Sequence, residues 1–434
     1  MHSFKIKLFI GFVIFAIVVD MYVWRAIRIL IKDKPGWYQK LSTYLFWAIP
    51  FLLILGFGLN IAFNLFESAR VFRTYFFAVF IIVYASKLIT FLFLIMEDIK
   101  RLFTIIFRLI ESYLFHKREE VKEVEMGEAL EPESKKISRS QFIARAGLVA
   151  GTIPLILLTR GMFKGAYNYQ VRRVNLVLPD LPEAFDGLKI LQFSDVHCGS
   201  FTDKDAVYTG IKMMKEQKAH LAFFTGDFVN NKTEEAYEWM EMFSEISAPM
   251  GVFSILGNHD YGDYVSDWKS PEAKIKNLQD LVDVHKNMGW HLLRNEHVIL
   301  EKENKRIGLI GVENWGDRGR FQKFGDIVKA KKNMESVPVN ILLSHDPSHF
   351  DSIISKEHPD IDLTLSGHTH GFQFGIELGD YKWSPSQYMY PHWADLYKIE
   401  KQLLYVNRGF GFLGYPGRVG IMPEITVITL NKMA

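Results

Sequence analysis

A chain of 434 residues has room for two or three domains, and its 51 Lys and Arg against 49 Asp and Glu give no electrostatic argument for a nucleic-acid partner. Cys198 is the only cysteine, which excludes an intramolecular disulfide framework and a cysteine-based zinc site. Apolar residues make up 49% and are unevenly placed.

Three long apolar runs come first: Ile6–Ile31, Leu41–Phe66 and Tyr75–Met96. Each is long enough to cross a hydrocarbon core of about 30 Å. Glycines, Asn60 and Lys87 inside these runs are compatible with helix packing; the alternative for Lys87 is that it marks a polar interior face. Arg101–Phe115 places Arg and Glu between apolar residues at helical spacing, which predicts an amphipathic helix on the membrane surface and closes a first region, 1–115. Residues 116–140, rich in Lys and Glu with Pro132, read as a solvated linker. In 141–165 the shorter apolar stretch Ala146–Thr159 is either a fourth span or a signal-like segment. The preceding Ser138-Arg139-Ser140-Gln141-Phe142-Ile143 resembles a twin-arginine export motif with Ser140 in place of the second arginine.

Basic residues crowd the first connection (Arg25, Arg28, Lys32, Lys34, Lys40) and the third (Lys100 to Arg145), and are sparse in the second. This predicts that the first and third connections are cytoplasmic. With a fourth span, everything after about Gly165 lies outside, as in a multi-pass protein of a bacterial inner or plasma membrane.

From about residue 170 to 434 the pattern changes. Strand-like runs (Val174–Leu178, Lys189–Phe193, Leu221–Phe224, Gly251–Leu256, Ile307–Val312, Val339–Leu343, Leu363–Leu365, Gln402–Val406) alternate with helical stretches at Thr202–Gln217, Glu234–Phe243 and Glu272–Lys286. That alternation predicts an α/β domain.

Five chemical fragments fall where strand runs stop: Asp195-Val196-His197, Gly226-Asp227, Gly257-Asn258-His259-Asp260, Ser344-His345 and Gly367-His368-Thr369-His370. Ligands at the ends of adjacent strands converge on one face of a sheet. Asp, Asn and His without thiolates suit Mn²⁺, Fe²⁺, Co²⁺ or Zn²⁺, and they outnumber what one ion needs, so two are expected.

The five fragments, in this order, resemble the calcineurin-like metallophosphoesterase superfamily over roughly Val174–Thr429. The resemblance implies a four-layer β-sandwich flanked by helices. It implies that Asp195, His197 and His370 hold a first metal, that Asn258, His345 and His368 hold a second, and that Asp227 bridges them. His259 would meet the phosphate or leaving-group oxygen, with Asp260 orienting it. A metal-bridged hydroxide would attack phosphorus in line.

A narrower resemblance, to a bacterial branch of membrane-bound or exported phosphoesterases that includes UDP-2,3-diacylglucosamine hydrolases, rests on three segments. They are Gly367–Gln373, Asn407-Arg408-Gly409 and Pro416-Gly417-Arg418 followed by Pro423-Glu424-Ile425. Phe372 stands where that branch usually has a second glycine. The site together with a membrane anchor points to a phosphodiester or pyrophosphate substrate, of a lipid or an envelope polymer. Arg408 and Arg418 are candidates for gripping a second phosphate, because guanidinium pairs bidentately with phosphate oxygens. The aromatics of Tyr381–Tyr397 fit either a lipid contact or packing over a sheet. Two other readings are a non-catalytic metal-dependent binding or scaffold protein and a transporter. Against the transporter stands the expectation of no paired charges within the spans.

Overall fold

The computed structural model describes residues 2–63, 65–115, 139–318, 321–379 and 381–433, divided into two compact units, Met1–Thr159 and Arg160–Ala434. Nearly all of the expected charged linker lies outside the described residues.

The first unit is helical: α1 (His2–Ile31), α2 (Gly36–Phe63), the single turn α3 (Leu65–Ser68), α4 (Arg70–Phe115) and α5 (Arg139–Arg160). Among the described residues, four segments are long and apolar enough to cross a membrane: Phe9–Ile31, Gly36–Phe63, Val71–Tyr113 and Arg139–Gly165. The stretch left open at 146–159 belongs to the fourth. Arg101–Phe115 is not a separate surface helix but the end of α4, which runs unbroken for 46 residues. No Gly or Pro interrupts it, so nothing in the backbone calls for a stop. At 1.5 Å per residue its length is about 69 Å, roughly twice a hydrocarbon core.

Asp20 of α1 is 1% exposed; it takes Lys87 Nζ of α4 at 2.5 Å and a hydrogen bond donated by Tyr84 at 3.1 Å. Lys87 Nζ also lies 4.5 Å from the centroid of the Phe46 ring of α2. Lys87 does face inward, and the expectation of no paired charges among the spans is overturned. The pair is invisible in the string because its members lie 67 residues apart.

Among the described residues, the second unit carries fourteen strands: β1 (Gln170–Leu178), β2 (Leu188–Phe193), β3 (Leu221–Phe224), β4 (Val252–Ser254), β5 (His291–Leu292), β6 (Glu296–Lys302), β7 (Lys305–Gly311), β8 (Asn340–Leu343), β9 (Leu363–Ser366), β10 (Ile376–Leu378), β11 (Tyr381–Trp383), β12 (Asp395–Ile399), β13 (Gln402–Val406) and β14 (Glu424–Lys432). One six-stranded sheet has the order β1-β14-β2-β3-β4-β5, a second β12-β13-β9-β8-β7-β6, and β10–β11 form a hairpin. Strands β2 to β5 are mutually parallel, as are β13, β9, β8 and β7.

Period-two alternation builds the layers. In β3, Leu221 and Phe223 enter an inner core with Ile190, Leu309, Ile341, Leu365 and Tyr405, while Ala222 and Phe224 face outward. The outer face of the first sheet is covered by Val207, Ile211 and Met214 of α6 (Lys204–Glu216), Phe243 of α7 (Met240–Ser244) and Leu281 and Val284 of α8 (Pro271–Asn287). On the second sheet, Ile310, Leu342 and Leu404 pack against Ile327 of α9 (Ile327–Ala330) and against Phe350 and Ile354. The result is four layers, helix, sheet, sheet, helix, as the α/β expectation held.

Two buried histidines give this unit a pH-dependent stability. Burial pushes His285 and His349 down to about 3 from an ordinary 6.5. Both are neutral in the fold, whereas the unfolded chain takes up their protons below about pH 6.5. Their contribution is complete above that pH and is lost progressively down to about 3, at up to about 1.4 kcal/mol per pH unit each. Unfolding in detergent at pH 7.5 and 5.0 should show the loss. A His285→Gln variant should have a shallower slope over that range, and an unchanged slope would refute the assignment.

Candidate metal centre

The chain leaves β2 at Phe193, β3 at Phe224, β4 at Ser254, β8 at Leu343 and β9 at Ser366, and each exit is followed within four residues by a metal-type side chain. These are carboxyl ends of parallel strands from both sheets, where ligands gather in α/β folds. The turns are tight. Asp195, His197, Asp227, His368 and His370 all adopt left-handed backbone, with φ of 53°, 46°, 61°, 72° and 49°. Such conformations cost L residues about 1 kcal/mol or more each, so the packed sheets must hold them. Gly226, at φ +97°, is where a side chain would have to enter: an added Cβ would come 2.8 Å from His345 Nδ1.

Potential ligand atoms meet in adjoining groups: Asp195, His197 and His370; His197, Asp227 and His259; Asp227, His345 and His368. In each, the atoms lie within 4.8 Å of one another. His197 Nε2 is 3.0 Å from His370 Nε2, and His370 Nε2 is 3.2 Å from Asp195 Oδ1. Asp227 Oδ2 is 3.1 Å from His345 Nε2 and 3.6 Å from His197 Nε2, so this carboxylate stands between the groups. Asn258 Oδ1 lies 2.8 Å from His368 Nδ1. The Asn258 amide donates to Tyr264 Oη at 2.7 Å, which turns its oxygen toward the cluster.

Contacts behind the cluster set the ring orientations. His345 Nδ1 lies 2.7 Å from the Thr225 carbonyl, which can only accept, so Nε2 is left to face Asp227. His368 Nε2 is 2.8 Å from Tyr390 Oη and 3.5 Å from Asp346 Oδ2. Tyr390 and Asp346 were not anticipated. Asp346 follows a candidate ligand directly, but nothing in the string points to Tyr390.

His259 Nδ1 lies 2.7 Å from the Asn230 carbonyl, and its ring stacks on Tyr264 with centroids 4.3 Å apart. Asp260 does not perform the orienting role expected of it. Its buried carboxylate instead accepts backbone N–H bonds from Asp227, Phe228, Val229 and Gly257 at 2.8–3.2 Å. It pins two exit loops together, and the Asn230 carbonyl orients His259.

The two arginines are also placed differently from expectation. Arg408 is fully buried, with its guanidinium taken by Glu377, Asp395 and Glu424 at 2.6–2.7 Å. Arg418 is equally buried; it donates to the Gly409 and Gly411 carbonyls, with Nη2 3.2 Å from His370 Nδ1. Arg408 is committed to carboxylates, and Arg418 keeps only Nη1 without a partner among the described residues, itself buried, so neither guanidinium faces solvent. Of the aromatic stretch, Tyr390 and Trp393 pack in a small core, while Tyr381 and Tyr388 are exposed.

Electrostatics suit cations. Burial raises Asp227, but the imidazoles of His345, His259 and His197 outweigh it and hold the carboxyl well below its ordinary range. Burial lowers His345, but Asp227 and Asp195 outweigh it and raise the imidazole to about 10. Burial and the Asp227 charge push Asp260 up to about 7. Two carboxylates and five imidazoles therefore converge in a buried site with positive charge in demand, and the donor set fits divalent ions of intermediate hardness.

Removing the Asp260 acceptor should cost about 3 kcal/mol, since several buried N–H groups lose their partner. Asp260→Ala should therefore lower the midpoint of unfolding and the metal content measured by elemental analysis of purified protein. His259→Ala should leave both close to wild type. A reversal of the two results would exchange the assigned roles.

Two family models match the chain: "Calcineurin-like phosphoesterase" over residues 188–372, and "Probable Calcineurin-like phosphoesterase, transmembrane domain" over residues 6–166. A Danio rerio protein named "Transmembrane protein with metallophosphoesterase domain" is 27% identical over 295 residues, which cover 66% of this chain and 63% of the relative, a little under two thirds of its length. "Uncharacterized metallophosphoesterase YkuE" of Bacillus subtilis is 29% identical over 311 residues, covering 69% of this chain and 99% of the relative. "UDP-2,3-diacylglucosamine pyrophosphatase LpxG" of Chlamydia muridarum is 26% identical over 294 residues, covering 56% and 83%. One matched region falls on each unit, so residues 188–372 form a calcineurin-like phosphoesterase domain, and residues 6–166 match the transmembrane domain of such proteins, in keeping with four apolar helices that mark a membrane protein.

Proposed function

We propose that the chain is a membrane-anchored hydrolase that uses two divalent cations to cleave a phosphodiester or pyrophosphate of a lipid or envelope component. The observation that carries this reading is the set of three adjoining ligand groups, linked to one another through His197 and Asp227. Asp195, His197 and His370 would hold one cation, and Asn258, His345 and His368 the other, with Asp227 between them. Bound there, the cations supply Lewis acidity toward phosphoryl oxygens and a water acidic enough to ionise near neutral pH.

The chain's own residues do the rest. His259, oriented by the Asn230 carbonyl through Nδ1, keeps Nε2 for the proton exchanged with the leaving oxygen. Tyr390 and Asp346 hold the His368 ring, and Asp260 keeps the Asp227 and Gly257 loops at a fixed separation. A lipid-linked pyrophosphate is supported by the printed name of the Chlamydia muridarum relative, a pyrophosphatase acting on UDP-2,3-diacylglucosamine, and by a membrane region that keeps the site near a bilayer.

The distribution of Lys and Arg supports a catalytic unit on the extracytoplasmic side. Protease added to intact spheroplasts should digest Arg160–Ala434, and a fully protected catalytic unit would reverse the orientation.

Hydrolysis of a chromogenic phosphodiester by the full chain should require Mn²⁺ or a similar ion. It should stop with chelator and fall by at least about a hundredfold in Asp227→Ala. Equal rates under all three conditions would end the proposal.

A further inference from the structure

A cavity of about 810 Å³ opens between α1 and α2, and Trp24, Arg25, Arg28, Lys32, Gln39 and Trp47 are among its walls. It lies where the apolar span Phe9–Ile31 ends, the level at which a helix meets the membrane–water boundary. Arg25, Arg28 and Lys32 follow one another at intervals of three and four, so they share one face of α1. Arg25 is committed: its guanidinium grips Asp98 of α4 at 2.7 and 3.2 Å. Arg28 and Lys32 make no ion pair among the described residues and are exposed. The cavity floor is fixed, because the Gln39 amide donates to the Lys32 and Lys34 carbonyls at 3.0 and 2.8 Å across the α1–α2 turn. Met21 and Ile29 continue the wall as apolar surface.

Two unneutralised cations, a pair of indole rings and an adjoining apolar wall at one membrane level are complementary to an amphiphile with an anionic head. Guanidinium and ammonium groups favour phosphate oxygens, and indoles favour the boundary between head groups and acyl chains. We propose that this cavity binds the phosphate head group of an anionic phospholipid, with Arg28 and Lys32 on the phosphate and Trp24 and Trp47 beside the first acyl carbons. The cavity belongs to the helical unit alone, so the proposal stands or falls independently of the hydrolase reading.

The test uses the full chain purified in detergent, with binding of dioleoyl phosphatidylglycerol read by native mass spectrometry and by the shift in unfolding midpoint. Phosphatidylglycerol should bind and raise the midpoint, and dioleoyl phosphatidylcholine should do neither. The double substitution Arg28→Gln and Lys32→Gln should weaken binding by on the order of tenfold. Arg28→Lys with Lys32→Arg should retain it, which separates lost charge from misfolding. A control with the same charge change outside the cavity, Lys100→Gln with Arg108→Gln, should bind as wild type. Equal weakening in the control and cavity variants would reduce the effect to diffuse attraction and overturn the site. So would equal binding of phosphatidylcholine, or displacement by millimolar inorganic phosphate, which would assign the cavity to a free anion.

Discussion

A buried carboxylate surrounded by imidazoles is the constraint on which the catalytic unit depends. Asp227 is 2% exposed, and its charge is answered by His197, His345 and His259 rather than by any Lys or Arg. An unpaired carboxylate in that position would cost several kcal/mol, so the loops must bring cationic or cation-binding groups to it. The sandwich makes this feasible because strands of both sheets point their carboxyl ends at one place. Asp227 follows a strand of the first sheet, and His345 and His368 follow strands of the second. The inner core that joins the sheets therefore also sets the spacing of the cluster.

Rigidity behind that cluster comes from groups that never need to touch a substrate. Asp260 ties the Asp227 loop to the Gly257 loop, and Arg408 binds three carboxylates drawn from β10, β12 and β14. Left-handed backbone at five of the ligand-type residues is the local cost of aiming them together, and these networks help offset it. In the helical unit the Asp20–Lys87 pair acts on the same principle. Each charge would be expensive alone among apolar helices, so together they favour one arrangement of α1 against α4.

The ligand-type residues were legible because each follows its strand within a few positions, so a local string reports both the element and its chemistry. Other elements were less so. The strand β14 lies between β1 and β2 although nearly the whole domain separates it from them in the chain. Its run Ile425-Thr426-Val427-Ile428-Thr429 carried a β-branched signal that could have placed it among the strands. The helix expected at Glu234–Phe243 is instead a short turn at Thr233–Glu235 followed by α7. There Thr233 bonds to Asn277, and Glu235 accepts from the Asn230 and Asn231 N–H groups, so tertiary partners overrode propensity.

Residue type and order alone determined that the chain has long apolar spans, an α/β domain and a set of Asp, Asn and His side chains suited to divalent cations. Those properties depend on composition and on spacing over a few residues. The fold decided the allegiances: Asp260 to backbone N–H groups instead of His259, Arg408 to carboxylates instead of a phosphate, Tyr390 to His368, and Lys87 to Asp20. A polar side chain takes the partner that burial brings within about 3 Å, and that choice depends on chain crossings far longer than any local pattern.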